Sequence, residues 1–263
     1  MAVLRDGHIH TPFCPHGSGD SFKKYIERSI SEGLQTITFA EHAPLPAGFE
    51  DTVPEKDSAM PYTELHSYLE EINKWKKEYE NDIEILTGLE VDFIEGFDHE
   101  TKAFLDNVGP MLDDSILSVH FLLAGGSYTC LDYSPESFAE LVKKTGSVER
   151  TVNLYFQTLH QSIDCDLGKH KPKRIGHITL IRKFHKRFDP VDLQSKVHAL
   201  LDSIASKGME LDYNGAGTAK PLCRESYPPR DVALEAKKRG IPLIYGSDAH
   251  QAKELMQGTG QLI

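Results

Sequence analysis

The sequence predicts an α/β fold, a mainly parallel sheet of seven strands covered by helices. Three observations carry this. Short apolar runs alternate with amphipathic stretches of helical period along the whole chain. The length, 263 residues, suits one large domain and is typical of a single α/β barrel. No internal repeat, low-complexity segment or linker interrupts the alternation, so residues 1–263 read as one domain.

Each element follows from local pattern. Val3–Ile9 reads as the first strand, Ser21–Glu32 as a helix stopped by Gly33, and Leu34–Phe39 as the second strand. Pro44–Pro61 is a long loop rich in Pro, Gly and acidic residues. Tyr62–Tyr79 is a helix, because Leu65, Leu69, Ile72 and Trp75 recur at helical spacing. Ile83–Phe93 is the third strand and Ser115–Leu122 the fourth. Helices follow at Ser134–Lys144 and Val148–Ile163, then a short fifth strand at Arg174–Ile178. A helix over Pro190–Ser206 ends near Gly208, and Met209–Tyr213 is the sixth strand. Arg230–Lys238 is helical up to Gly240, and Pro242–Tyr245 is the seventh strand. The strands either close into a barrel or lie open; the pattern fits both.

The formal net charge of -11 disfavours nucleic acid and anionic membranes as partners. Cys14, Cys130, Cys165 and Cys223 are far apart and form no CxxC pair, which points to reduced thiols rather than a disulfide framework. The N-terminus shows no signal-peptide pattern, and no run is long enough to span a bilayer, so a cytoplasmic protein is expected.

The polar residues are placed with a rule. His8 and His10 end the first strand, Glu41 and His42 the second, Glu90 the third and His120 the fourth. His177 lies in the fifth, Asn214 follows the sixth, and Asp248 and His250 follow the seventh. The C-terminal ends of the strands form the catalytic face of barrels and the ligand crevice of open sheets, so either topology gathers these residues. His8 and His10 are two apart on an extended strand and point to one side; Asp248 and His250 repeat the spacing. Imidazoles suit transition metals, and a carboxylate can bridge two cations. A shared metal site is therefore expected. His66, His160, His198, His99, His170 and His185 lie in helical or Lys/Arg-rich stretches, with His99 near a helix start, and read as surface or packing residues. Cys14 reads as a small loop thiol rather than a ligand. Asp20 precedes a helix and is either its N-cap or an active-site residue.

The opening Asp6-Gly-His-Ile-His-Thr-Pro-Phe-Cys-Pro-His-Gly17 resembles the start of the polymerase-and-histidinol-phosphatase (PHP) superfamily, and more closely its histidinol-phosphate phosphatases. The resemblance continues through Phe39-Ala-Glu-His42, Gly88-Leu-Glu90, Ser118-Val-His120, Gly176-His-Ile178 and Gly246-Ser-Asp-Ala-His250. It implies a distorted, TIM-like (β/α)7 barrel with its active site at the C-terminal ends of the strands. It also implies three divalent transition-metal ions, Zn, Fe and/or Mn. One would take His8, His10, Glu90 and Asp248. A second would take Glu90, His120 and His177, with Glu90 bridging. A third would take His16, His42 and His250.

The implied activity is hydrolysis of L-histidinol phosphate to L-histidinol and inorganic phosphate in histidine biosynthesis, by hydroxide from a metal-bridging water. Arg182 and Arg224 follow strands five and six and are expected to hold the phosphate and aid catalysis, since guanidinium donates paired hydrogen bonds. Asp20 or a metal-bound water would protonate the leaving oxygen. Glu41, Asp51 and Glu225 lie in or near active-face loops and are candidates to bind the cationic histidinol portion. The alternatives are another phosphoesterase of the superfamily, acting on a different phosphomonoester or a nucleotide, and a metal-binding protein without catalysis.

Overall fold

A computed structural model describes residues 3–263. Its strands are β1 (Arg5–Ile9), β2 (Thr36–His42), β3 (Glu84–Asp92), β4 (Asp114–Ser118), β5 (Phe121–Ala124), β6 (Ser127–Cys130), β7 (Arg174–Ile175), β8 (Glu210–Asn214) and β9 (Leu243–Gly246). Seven of them make one sheet in the order β1-β2-β3-β4-β7-β8-β9, every pair parallel. The segment after β9 returns to β1. His10 N–H donates to the Ala249 carbonyl at 3.0 Å, and Asp248 N–H to that of His8 at 2.7 Å. The sheet thus curls into a nearly closed barrel, and its seam is made by residues of the polar cluster.

The helices are α1 (Phe22–Ser31), α2 (Leu65–Glu78), α3 (Asp98–Val108), α4 (Pro135–Thr145), α5 (Val148–Asp164), α6 (Gln194–Ser206) and α7 (Arg230–Lys238). α1 is capped by Ser21, whose side chain accepts from Lys24 N–H, and buries Phe22, Tyr25 and Ile26 against the barrel. Asp20 is therefore not its cap. α2 buries Leu65, Leu69 and Ile72 of the predicted stripe together with Tyr68, while Trp75 is only half-buried at its edge. α4 starts at a Ser134 cap and stops at Gly146, whose φ of 92° a side chain would strain. Each fully buried apolar side chain of this size stabilises the fold by roughly 1.5–3 kcal/mol.

The structure corrects one expectation and adds detail to two others. The fourth strand stops at Ser118; beyond His120 the chain turns into the antiparallel β5–β6 hairpin, a separate sheet. α3 begins beside His99 but extends a further three turns, held by buried Thr101, Leu105 and Val108, a stripe too sparse to stand out in the sequence. The 44–61 loop is a packed wall. Val53 is buried with Ile94, Phe121 and Cys130, and the Phe49 ring meets Phe97, Phe121 and Tyr128 edge-on at 5.0–5.4 Å. No helix among the described residues is long and apolar enough to cross a membrane. All four cysteines are unpaired.

Candidate metal centre

Glu90, buried at the end of β3, lies at the middle of the site. Its Oε1 is 2.9 Å from His177 Nε2 and 3.8 Å from His120 Nε2. Its Oε2 is 3.3 Å from His8 Nε2, 3.7 Å from His10 Nε2 and 3.2 Å from His42 Nδ1. One carboxylate therefore faces two sets of imidazoles, one with each oxygen. Ser118 Oγ donates to Oε1 at 2.6 Å and fixes the rotamer. Gly176, beside His177, leaves room for this serine: a Cβ there would lie 2.1 Å from Ser118 Oγ.

Three of the histidines are oriented from behind by carboxylates. His8 Nδ1 is 2.9 Å from Asp212, His10 Nδ1 is 3.1 Å from Glu41, and His120 Nδ1 is 2.8 Å from Asp92. Each pairing leaves Nε2 turned inward as a lone-pair donor, the arrangement that orients metal-binding imidazoles. Gly246 lets Asp212 approach His8, since a Cβ would stand 2.4 Å from Asp212 Oδ1 and 2.6 Å from His8 Cβ. Asn214 donates to both Asp212 and Asp248 at 3.1 Å.

Glu41 is corrected by this geometry. It is fully buried and accepts from Thr11 N–H and Oγ1 and from His42 N–H, so it braces the first two strand ends instead of meeting a substrate. Asp92 and Asp212 were missed by the sequence reading. The signal was present: Asp92 and Asp212 lie two residues from Glu90 and Asn214 on their strands, and i, i+2 residues share a face.

The remaining donors close the open side. Asp248 Oδ1 is 3.1 Å from His10 Nε2 and 4.0 Å from His8 Nε2. Asp248 has a left-handed φ of 53°, a strained state that non-glycine residues adopt mainly where surroundings impose it. His16 Nε2 and His250 Nε2 stand 3.1 Å apart. Their other nitrogens are tied to the Asp57 and Asp248 carbonyls. The His42 ring centroid is 5.1 Å from that of His16 and 5.9 Å from that of His250. The structure thus brings His8, His10, His16, His42, Glu90, His120, His177, Asp248 and His250 to one face.

These donors fit divalent cations. His8 Nε2, His10 Nε2 and His42 Nδ1 are buried and make no hydrogen bond, although carboxylate oxygens lie close. Burial would raise the carboxyls of Glu90 and Asp248, but the surrounding imidazoles outweigh it and hold both well below the usual range. Burial and the charge of His10 keep His42 and His250 well below the usual imidazole range, and metals take the neutral ring. Three donor clusters form: His8, His10 and Asp248; Glu90, His120 and His177; and His10, Cys14, His42 and His250, the donor atoms of each within 4.8 Å of one another.

Above the donors opens a cavity of about 380 Å³. Its walls include Asp57, Ser58, Asp132, Lys183, Lys220 and Glu254. Lys183 Nζ pairs with Asp132 at 2.8 Å; burial opposes its charge, but the carboxylate prevails and raises its pKa. The arginines lie elsewhere. Arg182 turns away into a bidentate pair with Glu225, at 2.8 and 2.9 Å, and Arg224 is exposed near the Thr218 and Ala219 carbonyls. Neither arginine, nor Glu225, lines the cavity. The 3-10 turn explains this: each residue is rotated by about 120° from the last, so Arg182 and the following Lys183 face different ways. Asp20 is also outside, bonded to Lys24 and to Ala252 N–H, so it positions the turn after His250. Asp51 is consumed by Val53 and Ser58 within its own loop.

The PHP domain family model matches residues 6–216. The chain is 49% identical over 255 residues to the histidinol-phosphatase of Bacillus subtilis, covering 95% of each protein. A Listeria monocytogenes crystal structure assigned as a histidinol phosphatase superposes with a TM-score of 0.93 at 35% identity, over 97% of this chain and 98% of that one. The Lactococcus lactis histidinol phosphate phosphatase, solved with Zn, L-histidinol and phosphate, shares the fold at TM-score 0.69 and 22% identity, over 95% and 87% of the two chains. By the family match and these identities, the chain belongs to the PHP domain family, among its histidinol-phosphatases.

Proposed function

We propose that this chain hydrolyses L-histidinol phosphate to L-histidinol and phosphate with three divalent cations. The observation that carries it is Glu90, whose two oxygens each face a separate imidazole set at the floor of one cavity. His8, His10, Glu90 and Asp248 would hold one ion; Glu90, His120 and His177 a second; His16, His42 and His250 a third. Zinc, the metal of the Lactococcus lactis structure, suits this donor set, as do iron and manganese. Bound there, such ions supply Lewis-acid stabilisation of the charge that a phosphoester gathers as it is cleaved.

The chain's own residues do the rest. Asp212, Glu41 and Asp92 fix the imidazole tautomers before substrate arrives, so no reorganisation is needed during reaction. Lys183 and Lys220 are the cations on the cavity wall and receive phosphate oxygens. Asp132 keeps Lys183 charged and extended into the cavity. Asp57 and Glu254 also line the cavity and make part of its wall acidic, which favours the amine and imidazole of histidinol over a neutral sugar.

The test is kcat/KM across L-histidinol phosphate and a panel of sugar, nucleotide and amino-acid phosphates. Histidinol phosphate is expected to lead by a wide margin. Preference for another phosphate overturns the substrate. Lys183→Met is expected to raise KM about tenfold or more for every substrate alike, about 1.4 kcal/mol of lost phosphate binding.

A further inference from the structure

The loop that follows β1 does more than carry His16. Thr11 is clamped by two hydrogen bonds to Glu41, at 2.8 Å from N–H and 2.6 Å from Oγ1. Cys14 N–H donates back to the Thr11 carbonyl at 3.0 Å, and Gly17 N–H to that of Cys14 at 3.1 Å. Two successive turns therefore fix the Cys14 backbone. Phe13 anchors the outer side, its ring edge-on to Tyr68 at 5.7 Å. Gly17 leaves space for the thiol, because a Cβ there would stand 3.0 Å from Cys14 Cβ and 3.4 Å from Sγ.

The result is a buried sulfur turned toward the histidines. Cys14 is 5% exposed. Its Sγ and ring nitrogens of His10, His42 and His250 all lie within 4.8 Å of one another. Bonds of about 2.0–2.3 Å from one zinc would span such a set with little movement. The independent observation is at a facing side chain: His10 is fully buried, its Nε2 has no hydrogen-bond partner, and it belongs to the Cys14 set as well as to the His8–Asp248 set. A thiol held only for packing would not need donors arrayed around it.

We propose that the Cys14 thiolate is a ligand of the cation at the His42–His250 end of the centre and biases that position toward zinc. This rests on the metal-centre reading above. Binding would release the thiol proton to solvent, as thiolate coordination requires. The centre would then be chemically unequal. The Glu90 end offers oxygen and nitrogen and accepts hard or borderline ions, whereas the Cys14 end adds a soft donor that disfavours manganese.

Cobalt(II) is the probe, because a thiolate ligand gives it a sulfur-to-metal charge-transfer band in the near ultraviolet. Protein loaded with cobalt to saturation is expected to show this band, and Cys14→Ser to lose it. Cys130 also lines the cavity, and Cys130→Ser should keep the band. Cys14→Ser should also release one zinc equivalent to a chelator at on the order of tenfold lower chelator concentration. Cobalt uptake by the wild type without a sulfur band overturns the inference and leaves the metal centre standing, whatever the variant's stability. Failure to bind cobalt overturns both.

Discussion

The two ends of the barrel both bury charge, and they balance it differently. At the N-terminal end, Asp114 on β4 accepts from Arg5 on β1 at 2.7 Å, from Thr38 at 2.9 Å and from the fully buried Arg174 on β7. Anion and cation both come from the chain. At the C-terminal end, Glu90, Asp248, Asp212, Glu41 and Asp92 have only imidazoles as ion-pair partners; among the described residues none lies within salt-bridge distance of a lysine or arginine. Desolvated carboxylates need a compensating charge. One end draws both charges from the chain, and the other is built to receive positive charge from outside. Buried ionic character alone does not mark a functional site; the missing counter-charge does.

The sharpest break of this comparison is Glu90→Gln. An amide cannot face two cations with two anionic oxygens. Metal content should fall by at least one equivalent and kcat/KM by more than about 10³-fold, about 4 kcal/mol of transition-state stabilisation. Retention of full metal content with near-normal turnover would show that Glu90 does not bridge. The opposite end gives the counterpart. Asp114→Asn leaves Arg174 buried without its anion and should cost about 3–5 kcal/mol of stability by denaturant unfolding. Metal stoichiometry should stay unchanged. Loss of metal in Asp114→Asn would show that the two ends are not independent.

The C-terminal end was largely legible in the sequence and the N-terminal end was not. Ligand residues at strand ends sit in short motifs, His8-Ile-His10 or Asp248-Ala-His250, and the parallel topology gathers them without any knowledge of packing. Arg5, Asp114 and Arg174 carry no local signal, because their partners are 60 to 109 residues apart and appear only when the barrel closes. The carboxylates behind the histidines are intermediate. Asp92 and Asp212 share a face with residues the sequence did single out, yet assigning them to His120 and His8 needs the strand order. The arginines failed for a finer reason. Position along the chain put Arg182 next to the cavity-lining Lys183, but direction on a single-turn 3-10 segment changes with each residue, and the cavity received Lys183.

The carboxylates behind the histidines sharpen the comparison at a smaller scale. Asp212→Asn keeps the shape of the contact to His8 Nδ1 but lowers the basicity of the ring. Metal affinity or kcat/KM should fall about 10–100-fold, less than for Glu90→Gln. Titration with a competing chelator measures it. A loss as large as that of Glu90→Gln would mean Asp212 itself reaches a metal.

The smallest expected effect separates position from direction. Arg182 and Glu225 form a two-bond ion pair whose side chains are 27% and 33% exposed. Pairs with that much solvent contact contribute roughly 0.2–1 kcal/mol, because water screens the attraction and two long side chains lose freedom. If Arg182 serves only this pair, Arg182→Ala should change kcat/KM less than about fivefold, the kinetic equivalent of 1 kcal/mol. Glu225→Ala should match it, since each removes the same pair, and the double variant should be no worse than either one alone. If Arg182 instead leaves Glu225 to grip phosphate, the two single variants will part: Arg182→Ala will raise KM for every phosphomonoester, and Glu225→Ala will not. Comparing those KM values with that of Lys183→Met then decides which side chain of the neighbouring pair meets the phosphate.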